Sequence, residues 1–77
     1  MNLGKVFKTE RERLGVSRTE MAKRLGLTVS ALWKIEAGKT QPKSATIKKF
    51  CDDALIPLAY FYSCAMERED YVAHDTI

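Results

Sequence analysis

Apolar positions along this chain recur at helical spacing, in short blocks separated by glycine, proline or small hydroxylated residues. Val6, Phe7 and Leu14 are the inward candidates of a first helix over about Leu3–Leu14, with Gly15 as its stop. Residues 17–38, SRTEMAKRLGLTVSALWKIEAG, predict two short helices joined by a tight turn. Ser17 stands at the N-cap of the first, with Glu20 three residues on, and Met21, Ala22 and Leu25 repeat on one face. Gly26 takes the positive φ that ends this helix without a side-chain clash. Thr28 caps the next helix, where Leu32 and Ile35 point inward and Val29, Ser30, Trp33, Lys34 and Ala37 are left outward. Gly38 ends it, and Lys39–Lys43 form a loop in which Pro42 resists helical continuation. Ser44 is expected to cap a fourth helix over about Ala45–Ala54, with Ile47 and Phe50 inward and Cys51 or Ala54 beside them. Pro57 opens a fifth helix, Leu58–Met66 or somewhat longer, with Leu58 and Phe61 as core candidates and fraying expected beyond Glu69.

The pair over residues 17–38 has the layout of a helix-turn-helix, whose second helix can lie in a DNA major groove. Further residues sharpen this: small Ala22 facing the turn, Leu25-Gly26-Leu27-Thr28 across it, Ile35-Glu36-Ala37-Gly38-Lys39 closing the second helix, then Pro42 and Ile47. With these the chain resembles the phage-repressor (Cro/CI-type, XRE family) helix-turn-helix regulators from about Leu3 to Tyr62. The resemblance implies a compact five-helix, all-α, lambda-repressor-like DNA-binding domain over residues 1–66. Residues 67–77 are expected to form an acidic tail that extends the fifth helix and then frays. Members of the family usually carry a Gly near the end of the fourth helix, where Leu55 stands here.

The resemblance also assigns roles. The base-reading positions fall on Val29, Ser30, Trp33 and Lys34, with Ala31 close by. Lys34 can reach guanine O6 and N7, Ser30 can bond several bases, and Val29 and Ala31 can pack on thymine methyls. No Gln, Asn or Arg occupies these positions, so bidentate base reading is missing from the recognition helix and DNA shape gains weight. Trp33 has three open roles: lining the groove wall, covering the helix pair as a partly buried residue, or anchoring a partner protein. Phosphate contacts are expected from Arg18 at the start of the second helix, from Thr28, and from Lys39, Thr40 and Lys43 in the following loop. Lys48 and Lys49 read as solvated. Arg11 and Glu36 match a structural ion pair of the family, with Arg13 as the alternative partner, and loss of either member of a buried pair costs several kcal/mol.

Composition adds one decisive fact, the distribution of charge. Residues 1–50 hold 12 Lys/Arg against 4 Asp/Glu, a net +8, whereas residues 51–77 hold one Arg against six acids, a net −5. A basic part carrying the helix pair fits a polyphosphate partner, and the acidic part belongs away from it, solvated or in protein contacts. At 77 residues there is little room for a core that also encloses an enzyme pocket, and His74 has no nucleophile or metal partner nearby. Cys51 and Cys64 lack zinc spacing and read as reduced, partly buried thiols. No cofactor or metal is expected. The absence of a long apolar run or a signal-like N-terminus points to the cytoplasm and away from a membrane.

One small module reads too few base pairs to stand out in a genome, so a homodimer on a palindromic operator is expected. Tyr60, Tyr62 and Met66 are the interface candidates, aromatic and Met side chains being favoured at contact surfaces. The reading is a DNA-binding transcriptional regulator. Repression is expected rather than activation, since the chain shows no separate effector or activation domain. The alternative is a protein-interaction module, an antitoxin or anti-repressor-like adaptor, that engages a protein through its acidic C-terminal segment and binds DNA secondarily.

Overall fold

Asn2 starts the chain's first helix by accepting the Lys5 N–H on its side chain at 3.1 Å. The computed structural model describes the backbone of residues 2–75 and the side chains of residues 2–66. Five helices occupy the described residues: α1 (Leu3–Arg13), α2 (Arg18–Leu25), α3 (Val29–Glu36), α4 (Ser44–Ala54) and α5 (Leu58–Asp75). None is long and apolar enough to cross a membrane. The backbone of α5 is helical past Glu69 to Asp75, where the sequence predicts fraying; the side chains of residues 67–77, and with them the contacts of the acidic tail and of His74, lie outside the described residues.

Caps set the two ends of the central pair. Ser17 accepts from Glu20 N at 3.1 Å and Thr28 accepts from Ala31 N at 3.0 Å. Glu20 does not close a reciprocal capping box; its carboxylate pairs with Arg24 at 3.2 Å. Gly26 ends α2 at φ 70°, and the Leu27 N–H then donates to the Ala22 carbonyl at 2.8 Å, fixing the turn.

Three expectations are corrected. Leu14 is exposed because α1 ends at Arg13 and leaves it as the C-cap, while Glu10 one turn earlier is buried and pairs with Arg13 at 2.7 Å. Ser44 is the first residue of α4, not its cap: the chain leaves the Pro42 loop one residue earlier, with Lys43 extended at the N-cap and contributing no side-chain bond. Leu58 is exposed, because Phe61 and Ala65 take the inward stripe of α5.

The core is a ring trio with an aliphatic surround. Phe7 of α1 stacks on Phe50 of α4 at 4.3 Å, and Phe61 of α5 meets both edge-on at 5.5 and 6.1 Å. Val6, Met21, Ala22, Leu25, Leu32, Ile35, Ile47 and Ala65 surround the rings in the buried cluster. Both Cys51 and Ala54 are buried in it. This leaves α1 packed on α3, α4 and α5, with α2 bridging α3 and α4. Gly4 permits the α1–α3 contact, since a Cβ there would collide with the Ile35 carbonyl oxygen. The end of α3 is therefore held tightly against α1, which leaves its opposite face free.

Candidate nucleic-acid interface

At about 100° per residue, Val29, Trp33, Ser30 and Lys34 fall on one continuous outward arc of α3, opposite Leu32 and Ile35. All four are exposed. Ala31 is half-buried at the edge of that arc. Trp33 is 41% exposed, and the Lys39 ammonium lies 4.8 Å from its ring centroid. The indole therefore stands on the open face of α3 with the loop lysine folded over it, and does not cover the helix pair from inside.

Beside this arc, α3, the loop after it and α4 enclose an open cleft of about 500 Å³. Thr28, Ser30, Ala31 and Lys34 line one wall, and Thr40 and Lys43 lie across from them. The cleft thus gathers six of the residues singled out from sequence and leaves Val29 and Trp33 on the far side of the arc. It also brings in Gln41, Thr46 and Lys49. Nothing in the linear spacing marked Lys49 apart from its neighbour Lys48; only the packing of α4 turns Lys49 to the cleft, while Lys48 pairs with Asp52 at 3.4 Å. Among the described residues lining the cleft there is no carboxylate, and Lys34, Lys43 and Lys49 make no ion pair among the described residues. Hydroxyls, one amide and unpaired ammonium groups make a surface suited to phosphate and base edges.

Arg18 lies elsewhere, at the first position of α2, where its Nε donates to Glu36 Oε1 at 2.9 Å. The same carboxylate accepts Arg11 Nε on Oε2 at 2.8 Å and Arg11 Nη2 on Oε1 at 3.2 Å. Arg11 Nη1 donates to the Val16 carbonyl at 2.8 Å, so α1 also grips the link into α2. The Glu36 side chain is only 2% exposed. Hydrogen bonding to Glu36 raises the Arg11 pKa above its ordinary value, outweighing the opposing effect of burial. Arg13 turns to Glu10 and takes no part. The sequence pattern marks Arg11 and Glu36; the second arginine on the carboxylate is new.

The α5 candidates separate. Leu58, Tyr62 and Met66 follow one another at four-residue steps along a single stripe, with Leu58 and Met66 exposed and Tyr62 half-buried, edge-on to Phe61 at 5.6 Å. Tyr60 is exposed on another flank, where interaction with the Cys64 thiol raises its pKa.

Comparison with known proteins agrees with the helix-turn-helix fold. The family profile described as a helix-turn-helix domain matches residues 2–52, which take in α1 to α3 and most of α4. Among solved structures, the chain is similar to the crystal structure of the clp gene regulator ClgR from Corynebacterium glutamicum, with a TM-score of 0.88 at 20% identity over 97% of this chain and 80% of that one. At that identity the likeness speaks for the fold. The curated proteins contain no match.

Proposed function

Because this chain belongs to the helix-turn-helix domain family, a family of DNA-binding domains and not of enzymes, we propose that it is a transcriptional regulator reading duplex DNA through the outward face of α3. The observation that carries the proposal is the cleft beside that face, which among the described residues has no acid and holds three lysines without an ion pair, with a row of hydroxyls. In the proposed docking, α3 enters the major groove with Val29, Ser30, Ala31, Trp33 and Lys34 toward base edges. Thr28, Thr40, Lys43 and Lys49 flank the groove and take phosphates, and Lys39 adds its charge from beside Trp33. Gln41 supplies from the loop the amide that α3 lacks.

The regulator acts as a homodimer on a palindromic operator, represses by occupying it, and works in the cytoplasm. Support for the dimer is the Leu58–Tyr62–Met66 stripe, which the fold leaves partly uncovered. The same stripe favours a second reading, an interaction module that binds another protein and DNA only weakly.

Selection from a random duplex library at near-physiological salt separates the two. Enrichment of a palindrome with half-sites about 34–36 Å apart is the expected result. Binding that fades with salt and enriches no sequence would overturn the operator-reading regulator, leaving the interaction module or a non-specific duplex binder.

A further inference from the structure

One carboxylate serves two arginines, and their situations differ. Arg11 is 10% exposed and satisfies Glu36 alone, giving it two N–H bonds and a third to the Val16 carbonyl. Arg18 is 36% exposed and gives Glu36 a single bond, through Nε. The buried charge of Glu36 is already neutralised by Arg11, so Arg18 adds a surplus positive charge to the cluster. Its four Nη N–H bonds have no acceptor among the described residues. Two guanidiniums against one anion repel each other, and a second anion beside Arg18 relieves that repulsion. Arg18 opens α2, and in a helix-turn-helix the helix preceding the recognition helix crosses the DNA backbone.

We infer that Glu36 is a positioning residue for DNA binding: by holding Arg18 through Nε it presents the free Nη edge at the start of α2 as a preorganised phosphate clamp. The inference rests on the DNA-binding reading above. A guanidinium already fixed on one side loses less rotamer freedom when phosphate arrives, and its planar fork matches two phosphate oxygens. Glu36 is also the last residue of α3, so the clamp is tied to the recognition helix itself. Phosphate contact at α2 and base contact from α3 are thereby kept in one register.

The test is a double-mutant cycle of Arg18→Met and Glu36→Gln in the full chain, with duplex affinity measured across a salt series below the unfolding range. Arg18→Met should bind roughly tenfold more weakly. Its slope of log affinity against log salt should be smaller by about 0.9, one phosphate contact. Glu36→Gln leaves one acceptor oxygen for two arginines, so it should weaken binding in the wild-type background and have no added effect once Arg18 is Met. Additive losses, or an unchanged slope in Arg18→Met with only a lower Tm, would make the pair purely structural and overturn the inference. Should Glu36→Gln fail to fold, Arg18→Lys decides. Weaker binding at an unchanged slope supports a held fork, and wild-type affinity refutes it, since a free ammonium would then serve as well. A wild-type protein that binds no duplex would instead remove the DNA reading and this inference together.

Discussion

Lys34 and Lys39 sit a few residues apart, yet their surroundings assign them different work. Lys34 projects from α3 into the cleft, where it can meet a base edge, whereas Lys39 lies in the loop over the Trp33 ring. Lys34→Ala should therefore change which half-site is preferred, by ~1–3 kcal/mol at the affected base pair. Lys39→Ala should weaken all duplexes alike and lower the salt slope by about 0.9. Competition titrations of both variants on matched and scrambled duplexes check this, and identical behaviour of the two would refute the docking. Cys51 offers a pH prediction. Burial pushes its thiol above the ordinary 9.0, with the Asp52 carboxylate adding to the shift. The folded state then keeps a proton that the unfolded chain has lost, so stability falls as pH rises beyond 9.0. Denaturant titrations of wild type and Cys51→Ala should diverge in that alkaline range, with the wild type losing more; parallel curves would contradict the assignment.

At the level of helices and turns, the informative point is Leu55. It caps α4 in the left-handed region at φ 58°, where an L side chain is strained, and it is 90% exposed. Little packing is at stake, so Leu55→Gly removes strain and loses almost no buried surface. After the added backbone freedom of Gly in the unfolded chain, the net gain should be ~0.5–1 kcal/mol. A thermal melt should show a higher Tm; a lower one would mean that the Leu55 side chain is held by a contact. The resemblance to the phage-repressor family pointed to this turn because Leu stands where a Gly is usual, and the backbone shows that the left-handed conformation is retained regardless. Cap positions were readable in the same local way at Ser17, Thr28 and Gly26. The Ser44 expectation failed because a cap depends on where an extended loop turns into the helix, which Pro42 shifts to Lys43.

Across the molecule, charge and apolar surface divide. The basic cleft lies between α3 and α4, and the exposed Leu58–Met66 stripe runs along α5. Arg24 joins the basic and acidic parts of the chain by bridging Glu20 and Asp53, each at 3.2 Å. If α5 pairs two copies, Met66→Glu should shift sedimentation toward monomer while leaving the circular dichroism spectrum and melt nearly unchanged, because Met66 is half exposed. Binding to a palindrome should then lose its cooperativity. A wild-type chain that sediments as a monomer even on its operator would end the symmetric proposal.

What was legible along the chain is what depends on neighbours within a turn or two: helix periods, caps, the Gly26 turn, and the outward arc of Val29, Ser30, Trp33 and Lys34. The inward identities of Phe7, Phe50 and Phe61 followed from the same periods, although their stacking did not. Relations between distant segments came from packing. Glu36 meets Arg18 across 18 residues, Lys49 turns to the cleft while Lys48 does not, and Tyr60 parts from Tyr62 and Met66. A linear pattern fixes which face of a helix is apolar. Which charged side chain on the other faces meets which depends on how the helices cross, and in this fold that crossing is set by the ring trio and by Gly4 against the end of α3.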